Sequence, residues 1–182
     1  MRRAYNNERM KASAEANVIG ALALALADDI LRSTGRNAPE IGPAAAALSL
    51  IGHEPDLSIN ELRVGVGLSQ PGTVRLVDRM VAAGMVARLA AKHDRRAVAL
   101  SLTPGGQAAC DAIMAGRNGA LAKGLAALDN DERHTLGLLA SKMLRTMLRD
   151  ENHAYQICRL CDFERCEDCP VDSELKARAD PA

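Results

Sequence analysis

Apolar residues recur at helical spacing through most of the chain, and the period changes once, near the middle. Residues 98–102 alternate apolar with small or polar side chains, which is the period-two pattern of a strand, and residues 85–89 are its expected partner. The predicted order is α-α-α-α-β-β-α-α followed by a Cys-rich tail, which indicates a mainly α winged helix-turn-helix flanked by further helices. The first long helix, over roughly residues 8–33, rests on apolar side chains three or four apart: Ile19, Leu22, Leu26 and Ile30.

Capping and turn residues divide the middle of the chain into two short helices. Ser58 with Glu61 three residues later forms a capping box that opens one of them. Gly67 supplies a turn, and Ser69 caps the next helix, which is expected to end at Gly84. A helix-turn-helix followed directly by a two-stranded hairpin indicates a DNA-binding lobe.

The start of the second of these helices carries candidates for reading base edges in the major groove: Gln70, Pro71, Thr73 and Arg75. Glutamine pairs bidentately with adenine and arginine with guanine, while a threonine methyl or a proline ring can touch the thymine methyl. Arg79 lies one turn further along, where a phosphate contact is expected. The buried side of the same helix is expected to consist of Leu76, Val77 and Met80.

The hairpin tip is the second candidate DNA contact. Arg95 and Arg96 lie there beside Lys92, and arginine suits the narrow, electronegative minor groove of A·T-rich DNA. Asp94 is expected to pair with an arginine and to fix the shape of the tip.

Composition narrows the function through the distribution of charge. The chain has 23 basic and 23 acidic residues, but residues 62–97 contain seven basic and two acidic residues, so one region is basic on a neutral protein. Only 2% of the residues are aromatic. This argues against single-stranded nucleic acid or RNA as the main target, because those sites stack bases on aromatic rings.

Other classes of protein find little support. The apolar run at residues 18–27 is too short for a membrane span and lacks the flanks of a secretory signal, so we expect a buried helix in a cytoplasmic protein. No phosphate-cradling glycine loop, nucleophile elbow or open metal site with a carboxylate base indicates an enzyme.

The run LSQPGTVRLVDRM, followed by DRRAVALSLTPGG, resembles the MarR family of winged-helix regulators over roughly residues 12–150. The resemblance implies a homodimer in which the first and last helices of each subunit interlock on a near-palindromic double-stranded DNA operator. It also implies that Arg96 enters the minor groove and that DNA is released on binding a small-molecule effector or on thiol oxidation. The expected division is a dimerisation helix (1–34), a DNA-binding lobe (40–103), further dimerisation helices (104–156) and a Cys-rich tail (157–182).

The sequence departs from the family pattern in two ways. Gly72 lies inside the recognition helix, where glycine costs about 1 kcal/mol relative to alanine. The tail is not required by the family core.

That tail carries two C-x2-C pairs, a spacing that predicts a tetrahedral thiolate metal site: Cys158, Cys161, Cys166 and Cys169. Zinc is the favoured metal. An iron–sulfur cluster is the alternative because the run ends in Cys-Pro, and a metal-free thiol switch remains a third interpretation. The metal could stabilise the fold of the tail or sense a signal. Cys110 lies outside this cluster and is expected in the core.

Together these features predict a homodimeric, sequence-specific regulator of transcription, and a repressor in particular. The alternative is a metal- or redox-sensing protein whose main output is a protein contact, with the winged helix as scaffold.

Overall fold

A computed structural model describes residues 13–40, 42–54, 56–90, 98–163 and 165–179. Within these ranges the chain forms eight helices and a two-stranded sheet, and no helix is long and apolar enough to cross a membrane. The predicted order of six helices and two strands is confirmed. The elements are α1 (Ala14–Gly35), α2 (Ala44–His53), α3 (Ile59–Val66), α4 (Gln70–Ala82), β1 (Val86–Ala90), β2 (Val98–Leu102), α5 (Pro104–Leu125), α6 (Asn130–Met147), α7 (Glu151–Cys158) and α8 (Pro170–Ala179).

The helix-turn-helix consists of α3, a turn and α4, and the predicted caps define it. The Ser58 side chain accepts from the Glu61 backbone N–H, and the Glu61 carboxylate accepts from the Ser58 N–H at 2.8 Å. Gly67 ends α3 with φ of +68°, a left-handed conformation that suits glycine. The Ser69 hydroxyl accepts from the Gly72 N–H at 3.3 Å and thereby opens α4.

The core of the DNA-binding lobe is built around α2, which contacts α3, α5 and β2. Leu48 is 0% exposed and Ile51 4%. Gly65 on α3 lies so close to Leu50 that a β-carbon there would overlap the Leu50 side chain. The two helices therefore pack in direct backbone proximity.

The wing is an antiparallel pair in which Val86 of β1 faces Leu102 of β2, and Ala90 faces Val98. The Leu100 N–H donates to the Leu57 carbonyl at 3.0 Å, so the residues just before α3 lie beside β2. The sheet is thus joined to the first helix of the helix-turn-helix. Residues 91–97, which connect the two strands, lie outside the described residues.

The expectation of a buried first helix is wrong for the single chain. Thr34 is the one fully buried residue of α1, and α6 has none among its residues. Both helices expose large apolar side chains, including Leu24 at 70% and Leu139 at 56%. The apolar periodicity is present, but one copy of the chain does not cover it.

The C-terminal region differs from the predicted division into helices to 156 and a tail from 157. Helix α6 ends at Met147, and Asp150 then caps a separate helix, α7, by accepting from the His153 N–H at 2.8 Å. Helix α7 packs on α3, and α8 packs on α6. The tail is therefore helical at both ends and lies against the DNA-binding lobe.

Gly106 allows α5 to begin directly beside the end of α4. A β-carbon at this position would overlap the Met85 carbonyl oxygen, whereas Gly119 on the same helix has nothing within 4 Å. We expect Gly106→Ala to lower the free energy of unfolding by about 1–3 kcal/mol, because backbone must move to admit the methyl group. Gly119→Ala is the matched control and should raise it by roughly 0.5–1 kcal/mol through helix propensity. Chemical denaturation of both variants measures the difference, and equal stabilities would contradict this packing.

Candidate nucleic-acid interface

The exposed face of α4 carries three of the predicted base-reading residues. Gln70, Pro71 and Arg75 are exposed, and no acidic residue lies in the first turn of the helix. Arg75 makes no hydrogen bond or ion pair with any other residue in the described ranges. The positive end of the helix dipole lies at this turn, so this end of the helix is electropositive.

Thr73 does not belong to this exposed set. Its side chain is 0% exposed, and its hydroxyl donates to the Ser69 carbonyl at 3.1 Å. The prediction that Thr73 reads bases is therefore contradicted by its burial. The signal was present in the sequence, because residue 73 precedes Leu76, Val77 and Met80 at the i, i+3, i+4 and i+7 spacing of one helical face.

Arg79 is exposed but already holds a partner. Its guanidinium donates to both carboxylate oxygens of Glu40, at 2.5 and 2.7 Å. This bidentate hydrogen bond lowers the pKa of Glu40 and raises the pKa of Arg79. A phosphate would have to compete with Glu40 for Arg79, a contact that the sequence analysis missed because 39 residues separate the pair.

A second ion pair joins α4 to the wing. Arg88 of β1 donates to Asp78 of α4 at 2.7 Å. The pair fixes the sheet against the solvent-facing side of the recognition helix and neutralises Asp78. Two of the basic residues counted in the sequence thus serve contacts within the lobe.

The predicted wing residues Lys92, Arg95 and Arg96 lie outside the described residues. The prediction for the wing arginines stays a prediction.

The four tail cysteines lie around the end of α7 and the start of α8. Cys158 and Cys161 enclose a turn in which the Cys161 N–H donates to the Cys158 carbonyl at 2.8 Å. Cys169 starts α8, where its carbonyl accepts from the Ser173 N–H at 2.9 Å, and it shares a small apolar cluster with Cys158. Cys166 is exposed.

The thiols influence one another electrostatically. Cys158 donates a hydrogen bond to the sulfur of Cys161, which lowers the pKa of Cys161 to about 6, and Arg117 contributes in the same direction. The same bond raises the pKa of Cys158, which burial and the charges of the other three cysteines raise further. Among the described residues, no three His, Cys, Asp or Glu side chains form an arrangement that could hold a metal ion.

Cys110 lies apart from this group, as the sequence predicts. It is 2% exposed within α5, and burial raises the pKa of its thiol. It is a core residue.

A crevice of about 360 Å³ separates the end of α1 from α2. Arg159 and Leu160 of the tail line it together with Thr34 and Pro43. The tail thus contributes one cationic and one apolar side chain to a cleft between a long helix and the DNA-binding lobe.

Comparison with known proteins agrees with this architecture. Residues 41–97 match the model of the MarR family. No curated protein matches the chain in sequence.

Solved structures extend the similarity beyond the lobe. A MarR family protein from Bacillus stearothermophilus is 28% identical, with 79% of this chain and 99% of that one covered and a TM-score of 0.66. The reduced form of MarR from E. coli is 26% identical, with coverage of 69% and 96% and a TM-score of 0.55. Rv2887 from Mycobacterium tuberculosis, in complex with DNA, is 18% identical, with coverage of 70% and 94% and a TM-score of 0.56, and the same protein is solved with p-aminosalicylic acid.

The described fold, a helix-turn-helix with a two-stranded sheet and flanking long helices, is thus similar to the folds of these proteins. The chain is therefore similar to MarR family proteins, in sequence over residues 41–97 and in fold over most of its length.

Proposed function

We propose that this protein is a homodimeric, sequence-specific regulator that binds double-stranded DNA and represses transcription. The observation that carries the proposal is the start of α4, where Gln70 and Pro71 are exposed, no acidic residue lies in the first turn, and Arg75 has no partner among the described residues. An arginine on the outer face of a recognition helix can donate two hydrogen bonds to guanine. Gln70 and Pro71 are placed to contact the neighbouring base pairs.

Phosphate contacts would supply affinity without sequence preference. The positive end of α4 favours a phosphate, and Arg79 together with the wing residues Arg95 and Arg96 would add charge on either side. The DNA complex of Rv2887 supports this assignment, because that protein has the same fold.

The exposed apolar faces of α1 and α6 support a dimer. A groove of about 640 Å³ runs between α1, α5 and α6, and seven of its eleven lining residues are leucines. Monomeric proteins rarely expose contiguous apolar patches of this kind, so a second copy of the chain is the proposed cover. A dimer would present two copies of α4 to successive major grooves of a near-palindromic site.

Repression would end when a signal changes the distance between the two recognition helices. The crevice that separates α1 from α2 is a candidate site for a small-molecule effector, and the p-aminosalicylic acid complex of Rv2887 supports this type of signal. A ligand that binds one spacing of the helices better than the other would shift the population away from the DNA-binding form.

Arg75→Ala tests base reading by α4. We expect specific affinity to fall by about 1–3 kcal/mol, roughly fivefold to 150-fold, while binding to shuffled duplex changes little. The target is a duplex enriched from a random pool by the wild-type chain, and affinity is measured by fluorescence anisotropy. Lys123→Ala is the control, since Lys123 lies about 30 Å along α5 from the wing. Unchanged specific affinity for Arg75→Ala would favour the alternative, a metal- or redox-sensing interaction protein with the winged helix as scaffold.

Glu40→Gln tests the competition for Arg79. The variant keeps the shape of the side chain but loses the charge that holds the guanidinium, so Arg79 becomes available to phosphate. We expect a severalfold gain in DNA affinity and a plot of log K against log salt that is steeper by about one. Asp172→Asn, which removes the acid of the Lys176 ion pair on α8, should leave the slope unchanged. An unaltered slope in Glu40→Gln would show that Arg79 does not reach phosphate.

Leu139→Glu tests the dimer. Leu139 lies in the apolar groove and is 56% exposed in the single chain, so a carboxylate there would be buried without a partner in the dimer. We expect the molar mass from light scattering to fall to that of one chain at micromolar concentration. His134→Glu, on the opposite side of α6, should remain dimeric. A dimeric Leu139→Glu variant would place the interface elsewhere.

A further inference from the structure

We propose that Cys158, Cys161, Cys166 and Cys169 bind one zinc ion, and that this ion holds the tail in the position from which it braces α3 of the DNA-binding lobe. The four thiols come from two C-x2-C turns, one at the end of α7 and one at the start of α8. Such turns place two sulfurs at one metal, and two of them complete a tetrahedral site.

The structure already brings the two turns together. Cys158 and Cys169 pack against the same apolar cluster, although they are eleven positions apart in the sequence. Cys161 lies beside Cys158 because its backbone N–H donates to the Cys158 carbonyl at 2.8 Å. No three of these side chains are arranged to hold a metal ion in the described residues, so zinc binding would have to draw the sulfurs together, the exposed Cys166 included.

Tyr155 and Leu160 pack against the core of the DNA-binding lobe, but beyond them the tail has only a small apolar cluster. Its own cluster contains three buried residues, Leu148, Ala154 and Val171. Residues 159–169 between α7 and α8 contain no helix or strand in their described part. A metal ion supplies folding free energy that so small an apolar cluster cannot.

The segment formed by α7 and the residues after it contacts the DNA-binding lobe through Gln156 and through Phe163. On α7, the Gln156 amide donates to the Val64 carbonyl of α3 at 3.4 Å. Between the two cysteine pairs, the Phe163 ring lies 4.8 Å from the ring of His53 at the end of α2. The position of residues 159–169, the cysteine loop, is therefore coupled to α2 and, through α7, to α3.

The same segment also contacts the long helices. Asp162 accepts from the Asn118 side chain of α5 at 3.3 Å, and Asp168 lies 4.0 Å from Arg145 of α6. The cysteine loop thus bridges the DNA-binding lobe and the helices proposed to form the dimer. A zinc ion at its centre would fix one relative position of the two.

Zinc binding involves no change of oxidation state. Each thiol that coordinates loses its proton to solvent and forms a Zn–S bond, and the ion keeps its +2 charge. Neither sulfide nor an electron acceptor is required.

The first experiment measures metal in the full-length chain, purified anaerobically and reconstituted with zinc chloride. We expect about one zinc and no iron or acid-labile sulfide per chain. Cys166→Ser and Cys169→Ser should lose most of the zinc, whereas Cys110→Ala, which removes the one cysteine outside the group, should retain it. Circular dichroism of each variant separates loss of the site from loss of the fold. Iron with sulfide, four titratable thiols without metal, or equal zinc in Cys166→Ser and wild type would each overturn the proposal.

The second experiment tests the brace by hydrogen exchange of the zinc-loaded and chelator-treated chain. We expect faster exchange after zinc removal both in α7 and in α3, because α3 loses its support. Faster exchange confined to the tail would refute the coupling. Specific DNA binding is tested separately, because it rests on the function proposed above. Absence of specific DNA binding in both forms would refute that function and leave the zinc result standing.

Discussion

The rotation of α4 about its own axis is the constraint on which the DNA-binding surface depends. Thr73, Leu76, Val77 and Met80 are each 0% exposed and share one face of the helix. Since successive residues are about 100° apart, burial of this face directs Pro71 and Arg75 to the opposite side. The interface is therefore determined by core packing. Thr73 is polar, but it lies on the buried face and so is not part of the interface.

Electrostatics refine this picture by distinguishing basic residues that are available from those that are engaged. Arg88 is bound to Asp78 and Arg79 to Glu40, so the charge counted along the sequence overstates what a duplex would meet on the described surface. Arg75 stands on the exposed face without such a partner among the described residues. This division suits a regulator, because the phosphate-binding and base-reading contributions can be adjusted separately.

The sequence predicted the local structure well because local interactions define it. Capping at Ser58 and Ser69, the left-handed turn at Gly67 and the alternation in β2 all act within a few residues. The contacts that escaped prediction join distant segments, as in the pairing of Arg79 with Glu40 and the packing of α7 on α3. The separate helix α7 had a local signal, Asp150 as an N-cap, but its docking depends on a surface that only the folded lobe provides.

Selection of bound duplexes from a random pool tests the central claim most directly. Two copies of α4 related by a two-fold axis should enrich a near-palindromic sequence whose half-sites lie about one helical turn, or 10 base pairs, apart. Enrichment of no sequence, or of a single half-site without its symmetry mate, would contradict the account.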